Sequence, residues 1–380
     1  MADAPGQTEN VTPLEQLIRD RIRDHGAMPV SDYMALALAH PDYGYYRKAD
    51  PLGRDGDFIT APEISQVFGE IIGLWCVVTW RQAGRPTPFH LVELGPGRGT
   101  LMADAMRAAG TDPDFIAAAN IHLVETSPIL RLRQQAKLRA HDATWHLAID
   151  TVPDGPCVYI ANEFFDALAI DQYVRTADGW HRRCVGLDPV TDRLKFVVDR
   201  TPINTEGLVP PSVTAAPAGS LFEHCPECPE IAAIMGKRLA SDGIAALIID
   251  YGYRHQGSGE TLQGVRGHQH HDVLMNLGDA DLTAHVDFSA LAATAETAGA
   301  IPFGPVLQGT FLSNLGIEAR TNKLAADQDT TQANLLHSGC HRLIDPQGMG
   351  TLFKVLALTD GKLGVPAGFE LLPGKFDHEA

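Results

Sequence analysis

The sequence predicts an α/β protein whose mostly parallel sheet is covered by helices on both faces. Short apolar segments of strand length recur along the chain, and most are followed by segments with the apolar spacing of helices. A glycine-rich turn at 95–99 joins one of these strands directly to a helical segment. Because the strands are largely apolar, we expect a sheet that is buried on both faces.

Length and composition indicate a globular protein of two domains, or of one decorated domain. The chain has 380 residues, of which 44% are hydrophobic and 20% are charged, which excludes a disordered chain. Its formal net charge of −17 argues against general binding to nucleic acid, because basic surface supplies most of that affinity. We therefore expect no nucleic acid partner. The sequence does not indicate an oligomeric state.

The N-terminus carries no segment that resembles a targeting sequence. Residues 1–13 are polar and mildly acidic, unlike a secretory signal or a transit peptide. The most apolar run, 71–80, has about half of the roughly 20 residues that a membrane-spanning helix needs. The sequence therefore predicts a cytoplasmic protein with no membrane span.

Residues 1–84 predict an N-terminal helical extension. Apolar residues three and four apart indicate a helix over 13–25, and Ser31 is placed to cap a second helix. Thr60 and Glu63 have the spacing of a capping box. The helix that they open, 64–82, is apolar nearly all round, so we expect it to be buried.

Residues 85–172 and 241–360 predict the core that carries the sheet. Its predicted strands are 89–94, 121–124, 158–161, 244–250 and 352–358. Helices are predicted at 100–109 and after Ser127, which is followed by Pro128. Between 173 and 240 the alternation of predicted strands and helices is replaced by Pro-rich and hairpin-like stretches. We interpret these as an insertion that shapes the substrate side, since a simple crossover needs far fewer residues.

The turn after the first core strand has the glycine pattern of a ligand-binding loop. Glu93 is followed by Gly95, Gly97 and Gly99, and the helix that opens next offers free backbone N–H groups. The dinucleotide pattern G-x-G-x-x-G/A fits poorly, because Thr100 stands at its third position. The spacing E-x-G-x-G-x-G is instead similar to that of S-adenosylmethionine-dependent methyltransferases. A purely structural glycine turn is the alternative.

Glu125 ends the second core strand. An acid at this position can accept hydrogen bonds from both ribose hydroxyls of a nucleotide cofactor. The alternative is an ordinary helix-entry acid, because the helix-capping Ser127 follows two residues later.

Polar side chains also follow the third core strand. Asn162, Glu163 and Asp166 interrupt an apolar run at the point where ligands of open parallel sheets bind. Phe164 and Phe165 lie between them and are expected either to wall the site or simply to pack. The alternative for Glu163 is that it caps the next helix.

Two stretches contain residue types that can ligate a metal ion. Cys225 and Cys228 form one C-x-x-C pair, whereas a structural zinc site needs four ligands. His268, His270 and His271 lie in a polar segment that we interpret as a solvated loop. We expect no metal.

Six motifs occur together and in order, and they extend the argument to nearly the whole chain, from about 14 to 358. They are residues 56–70, 93–99, 124–128, 162–167, 249–252 and 281–288. This set resembles the MidA family of class I S-adenosylmethionine-dependent methyltransferases, which includes a mitochondrial complex I assembly protein. The chain departs from many relatives at Ala169, where they have proline.

The resemblance implies a Rossmann-like, seven-stranded sheet with an antiparallel last strand. It implies methyl transfer from S-adenosylmethionine to arginine in a protein, the known substrate being a core subunit of respiratory complex I. By position, the three glycines would line the methionine end of the cofactor and Glu125 its ribose. Asn162 and Glu163 would lie at the reacting centre, and 56–70, with Thr60, near the cofactor.

An arginine substrate stays protonated, so its site needs carboxylates and a proton acceptor. Glu163 and Asp166 are the first candidates, with Asp250, His285 and Asp287 in support. For His285 and Asp287 a capping role is an equal alternative. Two other functions stay open: a methyltransferase with a small-molecule substrate, and a non-catalytic assembly factor that binds the cofactor.

Overall fold

The computed structural model describes residues 11–48, 60–255 and 257–370, which belong to two compact units. The large unit contains residues 59–166, 227–256 and 285–380, and the small unit contains residues 1–58, 167–226 and 257–284.

A central sheet organises the large unit. Its seven main strands lie in the order Ile301–Leu307, Phe353–Thr359, Ile244–Tyr253, Cys157–Asn162, Phe89–Leu94, Ala119–Val124 and Ala143–His146. The last five of these are parallel, and Phe353–Thr359 runs antiparallel to both of its neighbours. A short strand, Val286–Asp287, pairs with the end of Ile244–Tyr253. The predicted fold, including its antiparallel last strand, is confirmed.

The chain changes direction across this sheet beside its first strand. After Phe89–Leu94 it moves outward to Ala119–Val124 and Ala143–His146, and then returns to Cys157–Asn162 on the other side of Phe89–Leu94. Adjacent connections therefore leave in opposite directions above Phe89–Leu94 and Cys157–Asn162. This topological switch point is where ligands bind in open parallel sheets.

Helices cover both faces of the sheet because most residues of its central strands are apolar and buried. They are Ala61–Ile64, Gln66–Gln82, Thr100–Ala109, Pro113–Ala118, Pro128–Lys137, Glu227–Asp242, Phe288–Thr297, Gln308–Asn314, Ile317–Ala325, Thr330–Ile344 and Met349–Leu352, with a 3-10 turn at Ile149–Thr151. Gln66–Gln82 packs closely against Thr100–Ala109: a Cβ at Gly73 would lie 2.4 Å from the carbonyl oxygen of Ala105. Glycine is required there because the two backbones nearly touch.

Three histidines form a row across three neighbouring strands of the large unit. His90 Nδ1 lies 2.8 Å from His122 Nε2, and His122 Nδ1 lies 2.9 Å from His146 Nε2. The row ends at the hydroxyl of Thr151, 3.1 Å from His146, and at the carbonyl of Asp154, 3.3 Å from His90. We call His90, His122 and His146 the histidine row.

The small unit contains two antiparallel sheets. The first is built from Met28–Pro29, Asp171–Arg175, Trp180–Leu187, Leu194–Pro202 and Leu221–His224, and the second from Gln263–Arg266, Gln269–His271 and Asp281–Thr283. Its helices are Pro13–His25, Val30–Ala39, Tyr45–Lys48 and Pro211–Thr214. Leu14, Ile18 and Ile22 form one buried stripe on the first helix, as their spacing predicts.

Two predicted side-chain caps are wrong, although Thr60 is the N-cap residue of helix Ala61–Ile64. Ser31 does not cap the second helix; Pro29 holds that position, and the Ser31 hydroxyl donates to Asp171 at 2.7 Å. Thr60 and Glu63 form no capping box, because the predicted helix is split at Ser65 and the Ser65 hydroxyl caps Gln66–Gln82. Ser31 therefore has a long-range partner in place of the local one that the sequence suggested.

The boundaries of the units differ from the predicted domains. Helix Gln66–Gln82, predicted in the N-terminal extension, belongs to the large unit, as does Glu227–Asp242 from the predicted insertion. The small unit joins three separate segments, including 257–284. Both helices are apolar on the side that faces the central sheet, and burial of that side assigns them to the large unit.

Candidate active site

The glycine turn follows strand Phe89–Leu94 at the switch point. Gly95, Gly97 and Gly99 have φ of +61°, +51° and +76°, a region that favours glycine. The Gly95 N–H donates to the carbonyl of Val124 at 3.0 Å, and a Cβ at Gly95 would lie 2.8 Å from Phe164 Cδ2. A side chain is excluded at Gly95 by both conformation and space.

The N-cap residue of the helix that begins at this turn has no side chain. It is Gly99, so no N-cap side chain accepts from the first backbone N–H groups of Thr100–Ala109. Such a helix start carries a partial positive charge and suits a carboxylate or another anionic group. The turn and helix therefore form a cradle for the acidic end of a ligand.

Glu93 lies beneath the glycine turn. Its carboxylate is buried and accepts a hydrogen bond from the backbone N–H of Met102. Burial raises the pKa of Glu93 to about 8, and its Oε2 has no partner among the described residues. Glu93 therefore stabilises the first turn of helix Thr100–Ala109 through the Met102 N–H.

Glu125 closes the other side of the turn. Its Oε1 accepts from the Ser127 N–H at 2.7 Å, and its Oε2 accepts from Gln134 Nε2 at 3.0 Å. Burial raises the pKa of this carboxyl group, and only 8% of the residue is exposed. Glu125 therefore binds the backbone just before helix Pro128–Lys137, as the helix-entry alternative predicted. Each carboxylate oxygen can accept a second hydrogen bond, so a ribose role stays compatible with these contacts.

Asn162 and Glu163 lie where strand Cys157–Asn162 ends. Glu163 is a non-glycine residue at φ +50°, and its N–H donates to the carbonyl of Ile249 at 2.9 Å. Its Oε1 accepts from the Ala61 N–H at 2.8 Å and from Asn162 Nδ2 at 3.1 Å. A left-handed backbone is uncommon for a non-glycine residue and is often found at functional sites.

Two buried oxygens in this pair are open. Glu163 Oε2 and Asn162 Oδ1 have no hydrogen-bond partner within the described part of the chain. A buried polar atom without a partner is costly, so it is expected to bind a ligand group or water. No helix follows Glu163, where the chain forms a bend and turn, so the helix-capping alternative for Glu163 is wrong.

Glu163, Asp166 and Asp250 form what we call the carboxylate cluster. Asp250 is fully buried and accepts from the N–H groups of Phe165, Asp166 and Tyr251 at 3.0, 3.2 and 2.9 Å. Burial, followed by the charges of the other two acids, raises the pKa of Asp250 well above its usual range.

Burial also raises the pKa of Glu163 to about 8, with a further increase from Asp166. Hydrogen bonds from Ala61 and Asn162, and the charge of Arg342, oppose that increase. Several buried acids around one open oxygen create a site that favours a cationic ligand.

The short helix Ala61–Ile64 contacts both parts of the site. Besides the bond from Ala61 to Glu163, Glu63 accepts from the hydroxyl of Thr100, and Arg98 lies 3.7 Å from Glu63. Thr60 precedes this helix and is half-buried. Residues 56–59 of the motif predicted near the cofactor lie outside the described residues.

Asp287 lies on the short strand Val286–Asp287, whereas His285 precedes that strand, and the two differ in what they contact. Asp287 caps helix Phe288–Thr297, accepting from Ala290 N at 3.0 Å and Ser289 Oγ at 2.6 Å, as its structural alternative predicted. The His285 ring packs edge-on against Tyr251, with centroids 5.4 Å apart.

No metal-binding group stands out in the described ranges. Among these residues no three or more His, Cys, Asp or Glu side chains are grouped so that they could hold a metal ion. Cys228 is buried in helix Glu227–Asp242, and His270 and His271 belong to a hairpin strand of the small unit.

Sequence reasoning missed three contributors to the site. Glu63 and Arg342 reach it from other elements, and Gln134 touches both Glu125 and the glycine turn. Glu63 lies in the 56–70 motif, but its spacing from Thr60 suggested only a local capping partner. Gln134 carries no sequence signal beyond being a polar residue on the buried side of an amphipathic helix.

The comparisons with known proteins agree with this geometry. A sequence profile of a family described as S-adenosyl-L-methionine-dependent methyltransferase matches residues 71–306. The chain belongs to this family. It is thus an S-adenosyl-L-methionine-dependent methyltransferase, and the resemblance predicted from its motifs is confirmed.

Relatives and a solved structure cover most of the chain. A zebrafish (Danio rerio) protein, named protein arginine methyltransferase NDUFAF7, mitochondrial, is 39% identical over 88% of this methyltransferase and 83% of its own length. The human (Homo sapiens) protein of that name is 36% identical over 92% and 83%. A Burkholderia thailandensis structure bound to S-adenosyl-homocysteine is 28% identical, with a TM-score of 0.78 and 94% of each chain covered.

These relatives correct one prediction. Both are named as mitochondrial proteins, so the cytoplasmic location expected from the sequence is wrong. That expectation rested on the polar residues 1–13, and the absence of a familiar leader pattern does not determine a compartment. Within the described ranges, no helix of this methyltransferase is long and apolar enough to cross a membrane.

The site fits the cofactor of the family. The three glycines have positive φ, a Cβ at Gly95 would meet Phe164 and one at Gly99 would meet Gln134, and the helix start at Gly99 suits the carboxylate of the methionine moiety. Glu125 presents acceptors for hydroxyl groups on the opposite side of the turn, and the open Asn162 Oδ1 adds another acceptor. S-adenosylmethionine is therefore consistent with the residues present.

Proposed function

We propose that this methyltransferase acts on an arginine of a protein substrate, a subunit of respiratory complex I. The observation that carries the proposal is the open, buried Glu163 Oε2 within the carboxylate cluster, next to the glycine turn. Phe164 bridges the two, since it follows Glu163 and packs on Gly95. The names of the relatives support arginine in a protein, and the family resemblance supports complex I.

The proposed cofactor contacts follow from the positions of the chain's own groups. Gly95, Gly97 and Gly99 receive the methionine end, Glu125 the ribose hydroxyls, and Asn162 a polar group near the reacting centre. Thr60 lies beside the Ala61 N–H that holds Glu163. When bound, S-adenosylmethionine supplies a sulfonium methyl group that is already activated for displacement.

The protein's part is to hold a guanidinium and to accept its proton. During transfer a bond forms between a guanidinium nitrogen and the methyl carbon, the methyl–sulfur bond breaks, and sulfur keeps the electron pair. The guanidinium nitrogen loses one proton. Glu163 Oε2 is placed to accept a hydrogen bond from that group and to polarise the nitrogen as the proton leaves. Asp166 adds negative charge, and His285 and Asp287 are second candidates for the proton's further path.

Asp250 holds the turn that follows strand Cys157–Asn162. The bonds that it accepts from the Phe165 and Asp166 N–H groups fix the turn that carries those residues, so Glu163 and Asp166 keep their places relative to strand Ile244–Tyr253. A rigid arrangement matters because methyl transfer is in-line and depends on orientation.

The test combines a cellular and a purified assay. Complex I subunits from cells with and without the gene are compared by mass spectrometry for arginine methylation. Purified protein is then incubated with S-adenosylmethionine and a peptide around each arginine that differs, with an Arg→Lys peptide as the control. Methylation of the arginine peptide alone is expected. Equal methylation of both peptides, or methylation of a small molecule only, would contradict arginine specificity, and cofactor binding without any transfer would favour an assembly factor.

A further inference from the structure

Gln134 joins three parts of the nucleotide side of the site. It lies on helix Pro128–Lys137 and is fully buried. Its Nε2 donates to the carbonyl of Gly97 at 2.7 Å and to Glu125 Oε2 at 3.0 Å, and its Oε1 accepts from the indole N–H of Trp145 at 2.8 Å. One side chain thus connects the glycine turn, the acid after the second strand and the strand beyond it.

The chemistry of these partners determines the orientation of the amide. The Gly97 carbonyl and the Glu125 carboxylate only accept, whereas the Trp145 indole only donates. A flipped amide would place its oxygen against two acceptors and its NH₂ group against a donor. The observed orientation is therefore the one in which all three bonds form.

The backbone of the turn also packs on this residue. A Cβ at Gly99 would lie 3.3 Å from both Cα and Cγ of Gln134. Gln134 therefore contacts the turn at Gly97 through a hydrogen bond and at Gly99 through packing. A shift of the Gln134 side chain would therefore disturb the backbone at both Gly97 and Gly99.

We infer that Gln134 is a positioning residue that holds the Glu125 carboxylate and the glycine turn in register for the ribose of the cofactor. It acts through Glu125 Oε2, whose remaining lone pair is aimed by the bond from Nε2. The inference rests on the proposed ribose role of Glu125 and is independent of the identity of the methyl acceptor.

The experiment measures binding rather than turnover. Calorimetry compares wild type, Gln134→Met and Gln135→Met with two ligands: S-adenosylhomocysteine, and an analogue with hydrogen in place of both ribose hydroxyls. Gln135 is an exposed glutamine on the same helix and provides the matched control. We expect Gln134→Met to weaken S-adenosylhomocysteine about 10-fold, the scale of one lost bond to a charged group.

The analogue separates positioning from general support of the fold. It lacks the hydroxyls that Glu125 would bind, so Gln134→Met should weaken it less than it weakens S-adenosylhomocysteine. Gln135→Met should change neither affinity. An equal loss for both ligands, or no loss for either, would overturn the inference.

Two further variants keep the outcome decisive. Glu125→Gln tests the ribose role itself: if it weakens S-adenosylhomocysteine selectively while Gln134→Met does not, the inference about Gln134 alone fails. If Glu125→Gln shows no selectivity, the ribose assignment fails. Should Gln134→Met not fold, Trp145→Phe removes the donor that fixes the amide. A smaller but still selective loss is expected from it, and no selective loss would overturn the inference.

Discussion

The carboxylate cluster and the histidine row are both groups of buried titratable side chains on one sheet, but they differ in how their hydrogen-bonding capacity is used. In the histidine row His90 Nε2 pairs with the Asp154 carbonyl, and His90 Nδ1 pairs with His122 Nε2. His122 Nδ1 pairs with His146 Nε2, and His146 Nδ1 pairs with the Thr151 hydroxyl. Every nitrogen of the row has a partner.

The carboxylate cluster has no such closure. Carboxylates accept and do not donate, and the donors around this cluster leave Glu163 Oε2 open among the described residues. Burial raises the pKa of Glu163 and Asp250, whereas burial and mutual repulsion lower the pKa of His122 to about 4. Burial and a shifted pKa occur in both groups. The carboxylate cluster differs in that a buried oxygen at the carboxyl ends of parallel strands has no hydrogen-bond partner among the described residues.

The largest expected effect is on turnover when the open carboxylate is neutralised. At a pH above its pKa of about 8, where Glu163 is ionised, Glu163→Gln keeps the shape and removes the charge that faces the guanidinium, so methyl transfer to an arginine peptide should fall by roughly 10²-fold or more. S-adenosylhomocysteine affinity, measured by calorimetry, should change little. The matched control is Glu296→Gln on the exposed face of helix Phe288–Thr297. Normal turnover with poor cofactor affinity would mean that Glu163 is a cofactor ligand.

The rate should also depend on pH through the same group. With a pKa of about 8, Glu163 is mostly protonated at neutral pH and gains its charge as the pH rises. We expect kcat/KM for the peptide to rise about tenfold per pH unit below that pKa and to level off above it. Glu163→Gln should remove this rise. A wild-type profile that is flat between neutral and mildly alkaline pH would contradict the assignment.

Breaking the histidine row should affect stability and spare the chemistry. His122→Leu leaves His90 Nδ1 and His146 Nε2 without their partner, at a cost of about 1–3 kcal/mol in the free energy of unfolding. Urea denaturation measures the loss, with His337→Leu on an exposed helix position as the control. Turnover of the folded variant should stay near that of wild type. A large loss of turnover without a loss of stability would give the row a functional role.

The smallest effect is on the acid side of the stability profile. Unfolded His122 binds a proton below its ordinary pKa of 6.5, but the folded pKa is lowered to about 4. Falling pH between these two values therefore favours the unfolded state, and stability is lost over that window. The midpoint of urea unfolding should fall more steeply with acidification in wild type than in His122→Leu. Parallel slopes for the two proteins would show that other groups dominate the acid limb.

The sequence predicted the framework of the large unit well, because its signals are local. Strand Phe89–Leu94 and helix Thr100–Ala109 were predicted with their observed bounds, since an apolar run and a glycine turn define both ends. The capping of Pro128–Lys137 by Ser127 was also predicted correctly. Strands Ala143–His146 and Ile301–Leu307 were missed, because neither is a continuous apolar run.

Side-chain partners far apart in the chain were not predictable in this way. Thr60 and Glu63 have a local capping pattern, yet Glu63 accepts from the Thr100 hydroxyl and forms an ion pair with Arg98 at 3.7 Å instead. Gln134 lies nine residues from Glu125 along the chain, and only the pairing of the strands brings Gly97 and Trp145 to it. Glu163 was recognised as a site residue, but its open oxygen depends on Ala61, 102 residues away.

The sequence by itself determined the sheet, the glycine turn and the acids placed at the ends of its strands, because hydrophobic periodicity and backbone conformation act over a few residues. Tertiary structure decided which of those acids caps a helix, as Asp287 does, and which keeps a buried oxygen open, as Glu163 does. It also decided that three histidines on separate strands satisfy one another. Burial and hydrogen-bond partnership are properties of the assembled fold, and it is they that turn a carboxylate into a structural group or a functional one.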